Sequence, residues 1–495
     1  MKIILSTLPR KAGRYTAQGF STSWSKRPAC LFPSNPRHAG NERDAHCTLF
    51  VRTNAHPWFN GSMKTILSLL IAVAVCGTAL SKTDSAFVET GSLKEFREYL
   101  AKDNVKVRMK PGVYQVEDAP DHHFFRFTGN DSHFDMSGVT FEIDNRLFSK
   151  FGVVPGKNGF YCVVDLIGDR IVFEGLTTRN IGGEHSAQSR NKIFNVVGSN
   201  VTLKDVDITT SGSSPWGYGS LYGLGGGVVR KMNGIRVGWP AKHSKLINCK
   251  VHMRAMGHAI FVQGAENTLI ENCHVDGLLR PTNEILAEES GFAFEQDFKA
   301  RSGGYVEGVV VADDGSILPD EMLSLSEDGI RMYPHGGENN IPTQNTTIRD
   351  CTVRQMRRGI CIGLSSGGDV AINCEVTDCI AAGFNIGHND LLENCRANAR
   401  YAEALSCPYY SSKNAKVELD ILDSRNGLAN TVLATVNGTG HTIKLTTRNR
   451  AYVPAGFSIE QATNKGYAFY QRKSGAPIAE NITLVNETPA RVSKP

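Results

Sequence analysis

Leu246-Ile247-Asn248-Cys249-Lys250-Val251, Ile270-Glu271-Asn272-Cys273-His274-Val275 and Ile348-Arg349-Asp350-Cys351-Thr352-Val353 are three copies of one pattern. Ala371-Ile372-Asn373-Cys374-Glu375-Val376 and Leu392-Glu393-Asn394-Cys395-Arg396-Ala397 repeat it. Leu203-Lys204-Asp205-Val206, Phe173-Glu174-Gly175-Leu176 and Gly138-Val139 carry it without the cysteine. The central residue is always Asn, Asp or Gly, the types that tolerate the left-handed backbone region. The apolar residues on either side recur with period two, the mark of inward-facing strand positions. The unit therefore reads as strand, one-residue corner, strand. Corners follow one another after 24, 23 and 21 residues, and the gaps of 43 and 78 mark insertions between rungs.

A third strand precedes each corner: Gly234-Ile235-Arg236-Val237, Ala259-Ile260-Phe261-Val262, Gly329-Ile330-Arg331-Met332, Gly359-Ile360-Cys361-Ile362 and Gly383-Phe384-Asn385-Ile386. Three short strands in 21–24 residues describe one coil of a parallel β-solenoid. Successive coils stack at about 4.8 Å.

The sequence at this point resembles the right-handed parallel β-helix superfamily that includes the pectate lyases, and the resemblance spans roughly residues 90–430. Asn248, Asn272, Asn373 and Asn394 look like that superfamily's asparagine ladder. Ser92-Leu93-Lys94-Glu95 is a capping box, and Leu93, Phe96 and Leu100 share one helical face, similar to the helix that caps the first coil. The expected fold is all-β: a right-handed parallel β-helix with three short strands per coil and an N-terminal capping helix. Right-handedness agrees with the general preference of parallel crossovers. The column Cys249, Cys273, Cys351, Cys374, Cys395 reads as buried thiols packed as small hydrophobes, because parallel side chains suit neither a disulfide nor a convergent metal site. Cys379 and Cys407 are expected to form a loop disulfide.

Of the 495 residues, 41% are hydrophobic and 21% charged, which excludes both a disordered chain and a polytopic membrane protein. The net charge of +5 comes from residues 1–62, where nine Lys or Arg face only Glu42 and Asp44. The remainder carries −2, so no electrostatic case for nucleic acid survives. Met63-Lys64-Thr65, the apolar run Ile66 to Val75 and the small residues Ala79 and Ser81 read as a secretory signal peptide, too short to span a membrane. Residues 1–62 are then expected to be a disordered, mistranslated upstream extension, with an organellar transit segment as the alternative. Residues 63–81 would be the signal and 82–495 the mature β-helix, secreted or periplasmic and monomeric. Nine cysteines remain in that part, an odd number that argues against a complete disulfide framework.

With the 280–326 insertion looped out, the strands beginning at Gly234, Ala259 and Gly329 become neighbours. Alternation then places Arg236, His258, Asp328, Arg331, Tyr333 and His335 on one exposed face, with Lys192 one coil earlier and Arg358 one coil later. The resemblance implies a polysaccharide lyase that removes the proton beside a uronate carboxylate. Arg236 and Arg331 suit the neutralising clamp, and His258, Tyr333 or His335 the base and acid. Lys192, Asp328 and Arg358 are read as substrate-binding, as are Trp216, Tyr218 and Tyr222 of the glycine-rich insertion 211–232, whose flat rings suit stacking on sugars. Tyr333-Pro334-His335 resembles the Pro-His segment of alginate C5-epimerases, except that Tyr333 and Gly336 replace its flanking acids.

A glycoside hydrolase on the same scaffold is the first alternative. Gly257-His258-Ala259 is similar to part of the polygalacturonase Gly-His-Gly motif, and Glu327-Asp328 or Glu288-Glu289 would supply carboxylates. Asp313-Asp314, within Val309 to Ile317, reads as a hairpin turn instead. A non-catalytic carbohydrate-binding or surface β-helix is the second alternative. The expected partner is an acidic polysaccharide or oligosaccharide. No cofactor is expected, and no calcium-binding motif is present.

Overall fold

The computed structural model describes residues 86–493 except 156–158, 185–188, 224–227, 301–309, 337–339, 410, 426–431, 448–457 and 462–478. These fall in the compact unit Lys82–Pro495. The expected extension 1–62 and signal 63–81 lie outside the described residues.

The chain enters through α1 (Leu93–Arg97). Its start is fixed twice: Ser92 Oγ accepts the Glu95 N–H at 3.2 Å, and Glu95 Oε2 accepts the Gly91 N–H at 2.8 Å. Phe96 is fully buried against the rings of Phe125, Phe127 and Phe134. The helix thereby closes the apolar end that a stack of coils would otherwise expose.

Beyond it the chain winds as a right-handed parallel β-helix, as expected. Among the described residues, one parallel sheet has 12 strands and a second, bent at the corners, has 21. The strands of the first sheet that position the site are β1 (His123–Phe127), β2 (Cys162–Leu166), β3 (Asn191–Val196), β4 (Met232–Gly238), β5 (Ile260–Gln263), β6 (Asp328–Tyr333), β7 (Arg358–Cys361) and β8 (Ala382–Asn385). They pair in register. Ile235 faces Ile260, which faces Ile330, then Ile360 and Phe384. Leu203, Leu246, Ile270, Ile348, Ala371 and Leu392 form a matching column in the second sheet. The gaps of 43 and 78 residues are each bridged by direct pairing, so the insertions leave the stack unbroken.

The corners behave as their residue types require. Asp205, Asn248, Asn272, Asp350, Asn373 and Asn394 all adopt φ between 49° and 55°. Their side chains form the ladder: the Asn272 amide donates to Asn248 Oδ1 at 2.7 Å and the Asn394 amide to Asn373 Oδ1 at 2.7 Å. Behind the corners the five stacked cysteines are buried, with thiols directed at backbone carbonyls such as Cys351 Sγ to Ile270 O, 3.5 Å. The Cys379–Cys407 disulfide does not form; all nine cysteines among the described residues are free. Cys379 follows the strand Glu375–Thr377 of the second sheet, and Cys407 ends a strand of the first sheet, so the two lie on different faces.

The two insertions pack on each other around a second apolar core of Tyr218, Leu221, Tyr222, Ile285, Ala293, Leu323 and Leu325. This module contains α2 (Thr282–Leu286), α3 (Phe292–Glu295) and the antiparallel pair Leu279–Pro281 and Met322–Ser324. Arg280 ties it together through Gly217 O (2.9 Å) and Glu288 Oε1 (2.8 Å). Asp313 and Asp314 sit in a turn: Gly315 at φ +84° donates to Ala312 O, and Val311 bridges Ile317. No helix among the described residues is long and apolar enough to cross a membrane.

Candidate active site

Parallel pairing puts Arg236 beside Phe261 and Phe261 beside Arg331, and one pleat further Gly238 beside Gln263 and Gln263 beside Tyr333. Arg236 and Arg331 therefore share one face, separated by a single strand. Asp328 is the anchor beneath them. It is completely buried, and its carboxylate takes Arg331 at 2.5 Å, Arg358 at 2.8 Å and Arg357 at 3.0 Å. Burial alone would raise its pKa, but Arg357, Arg358 and Arg331 hold it well below the usual carboxylate range. Of the three guanidiniums, Arg331 is the most exposed, at 18% against 2% for Arg357 and 6% for Arg358. Its Nε has no hydrogen-bond partner among the described residues.

Arg236 is nine-tenths buried yet bonds only neutral acceptors: Asn195 Oδ1 at 2.9 Å, Gln263 Oε1 at 3.1 Å and His335 Nδ1 at 3.5 Å. Its guanidinium lies flat across Gly238, where an added Cβ would come within 2.1 Å of Cζ. Gly238→Ala should thus leave the coil intact and push the guanidinium off its three acceptors. The expected outcome is a melting temperature within a few degrees of wild type with ligand affinity or turnover down at least tenfold; unchanged function would show that this pose of Arg236 is irrelevant.

Arg331 bends over the Tyr333 ring, 5.2 Å from its centroid, and Tyr333 stacks on Phe261 at 5.9 Å and 8°. Burial pushes the Tyr333 phenol up to about 12, with Arg331 and Arg236 pulling the other way. His335 stacks on Trp239 (5.8 Å, 21°), and burial, then Arg236, lowers its pKa from the ordinary histidine value. His258 is locked from both sides. Its Nδ1 accepts the Asp328 N–H at 3.3 Å, and Nε2 lies 3.5 Å from Glu327 Oε2. Burial lowers its pKa to about 4, against the pull of Glu327 and Asp328, so the ring is neutral. Glu327 is itself buried but ionised: Lys231 and then Arg357 outweigh burial and bring it to about 2, with Lys231 Nζ at 2.7 Å. Lys231 and Glu327 stand where the two insertions rejoin the coils.

The structure thus brings together Arg236, His258, Arg331, Tyr333 and His335, with Lys192 on the same sheet one strand before Arg236. It corrects other expectations. Asp328 is fully buried and its carboxylate holds Arg331, and Arg358 is buried with its Nε spent on the same carboxylate, so neither is placed to meet a ligand. Tyr218 and Tyr222 are buried in the second core, where Tyr218 donates to Glu288 Oε2 at 2.8 Å; Trp216 packs against the same core. A glycine-rich insertion large enough to bury its own aromatics spends their faces on packing. The exposed ring at the site is Trp239, 49% accessible. Strict alternation would have turned it inward, but β4 ends at Gly238 and the rule ends with it. Arg357 and Lys231 also escaped the sequence reading; the adjacent Arg357-Arg358 pair was the available signal. No group of three or more metal-ligating side chains occurs among the described residues.

No protein-family model matches the chain, and no curated protein does. Among solved structures it is similar to an alginate lyase from Paenibacillus sp. strain FPU-7 (9% identity, TM-score 0.32, covering 82% of this chain and 99% of that one). It is also similar to an endo-xylogalacturonan hydrolase from Aspergillus tubingensis (9%, TM-score 0.35, 82% and 95%) and to PfbA, a surface adhesin of Streptococcus pneumoniae (12%, TM-score 0.35, 74% and 76%). Fold does not fix function, so the chemistry is read from the site itself.

Proposed function

We propose that the protein is an exported polysaccharide-degrading enzyme that cleaves a uronate-containing polymer by β-elimination. The observation that carries this reading is the convergence of two guanidiniums, Arg236 with no carboxylate partner among the described residues and Arg331 with an unpartnered Nε, on the Tyr333 phenol and His335 imidazole. Cations held without sufficient counter-charge favour an anionic ligand. The charge of a carboxylate bound between Arg236 and Arg331 is balanced by the two guanidiniums, which acidifies the adjacent ring carbon.

His335, neutral at pH 7, then takes the proton from that carbon on Nδ1, which Arg236, 3.5 Å away, gives up as it turns to the carboxylate. The electron pair forms a carbon–carbon double bond, the bond to the linking oxygen breaks, and the Tyr333 phenol protonates the departing oxygen. No water is consumed. His258 has Nδ1 engaged by the Asp328 N–H and Nε2 facing Glu327 at 3.5 Å, and acts as a positioning residue between them. Hydrolysis is less favoured, because Glu327 and Asp328 are buried and ion-paired instead of flanking a cleft. Glu288, the other carboxylate considered, is tied to Arg280 and Tyr218 in the insertion module.

Incubation with polygalacturonate, polymannuronate and polyguluronate tests the reading. Ultraviolet absorbance from a double bond conjugated to the carboxylate is the expected result, and new reducing ends without it would mark a hydrolase. The rate should be lost on acidification below the ordinary histidine pKa of about 6.5 as His335 protonates. It should hold into the alkaline range because Tyr333 keeps its proton until about pH 12. His335→Gln should lower kcat about 10²–10⁴-fold and remove the acidic limb; an unchanged profile would reject its role.

A further inference from the structure

Lys192 lies on β3, and its residue is 3% exposed. Among the described residues its ammonium meets no carboxylate and no hydrogen-bond acceptor; its neighbour is the Phe160 ring, 3.1 Å from Nζ to the centroid. Phe160 is backed in turn by the His123 ring at 5.1 Å. The nearby carboxylate of Asp165 is taken by His123 at 2.5 Å and Asn195 at 2.7 Å. Arg236 stands on the next strand. Two buried cations that share only this nearby carboxylate, itself hydrogen-bonded elsewhere, are costly. Burial, and then the charge of Arg236, push the Lys192 pKa well below its ordinary value, a strain that a bound carboxylate would relieve.

We infer that Lys192, cradled on Phe160, is a second carboxylate-binding subsite that grips a neighbouring unit of the polymer beyond the one held at Arg331. The inference rests on the uronate reading above and extends it. Arg331 is three strand steps of about 4.8 Å from Lys192 and three residues of about 3.3 Å further along its strand, roughly 17 Å in all. One step is close to the length of a pyranose unit, so a chain lying along the sheet crosses both positions only when it spans several units. The enzyme then selects polymers with repeated carboxylates over isolated uronates.

Calorimetric binding of oligogalacturonates and oligomannuronates of two and four units, with neutral cello-oligosaccharides of the same lengths as controls, tests this. Wild type should bind a uronate tetrasaccharide at least tenfold more tightly than the disaccharide. Lys192→Gln should cut that ratio about tenfold, Lys192→Arg should keep it, and both should melt cooperatively near wild type. An unchanged ratio in Lys192→Gln, with Arg331→Gln still abolishing binding, overturns the subsite and leaves the uronate reading standing. Failure of wild type to bind either uronate series, or equal binding of the neutral series, overturns both.

Discussion

Arg331→Gln is expected to abolish turnover of a uronate polymer, lowering kcat/KM by at least 10²–10³-fold, while the protein stays folded. The magnitude is that of removing a preorganised donor from a developing negative charge. The folding expectation follows from the ion pairs: Asp328 keeps Arg357 at 3.0 Å and Arg358 at 2.8 Å when Arg331 is gone, so no charge is left buried and unpaired. Steady-state kinetics with circular dichroism on the same sample provide the check. Full activity in the variant would remove Arg331 from the mechanism, and unfolding would show that it is a structural member of the Asp328 cluster.

Asp328→Asn is expected to have the opposite balance, with stability lost first. The substitution keeps the shape and removes the fully buried carboxylate charge that Arg331, Arg357 and Arg358 share. Breaking a buried ion pair from one side costs on the order of 3–5 kcal/mol, and three guanidiniums meet Asp328 here. The pKa of Asp328 is depressed on folding, so its contribution is present above the unfolded value of about 3.9 and is lost only as pH falls through the lower folded value. The stability difference should therefore be constant from pH 5 to 9 in chemical denaturation. A difference under about 1 kcal/mol would mean that the three guanidiniums are stabilised by something other than Asp328.

Most of the fold was legible because each coil states its own rule locally. A residue tolerant of positive φ, flanked by inward apolar positions, specifies a corner wherever it occurs. Asn248, Asn272, Asn373 and Asn394 obey that rule one after another. The register of Arg236, Phe261 and Arg331 followed from alignment of these units, since parallel strands pair like with like. What failed was whatever depended on contact between coils and insertions. Tyr218 and Tyr222 read as free sugar platforms until Leu221, Phe292 and Ile285 enclosed them. Asp328 and Arg358 read as surface groups because alternation tells which way a side chain leaves the strand, and nothing about what then covers it.

Sequence alone thus determined the solenoid, its corners, its capping helix and the wall on which arginines, histidines and a tyrosine gather, because these depend on backbone preference and a short period. Tertiary structure decided which of those groups face outward and with what charge. Three guanidiniums around one carboxylate, a histidine held neutral between Glu327 and a backbone N–H, and a lysine resting on Phe160 are joint properties of residues far apart in the chain. Desolvation and charge pairing act through space, and only the folded molecule sets those distances.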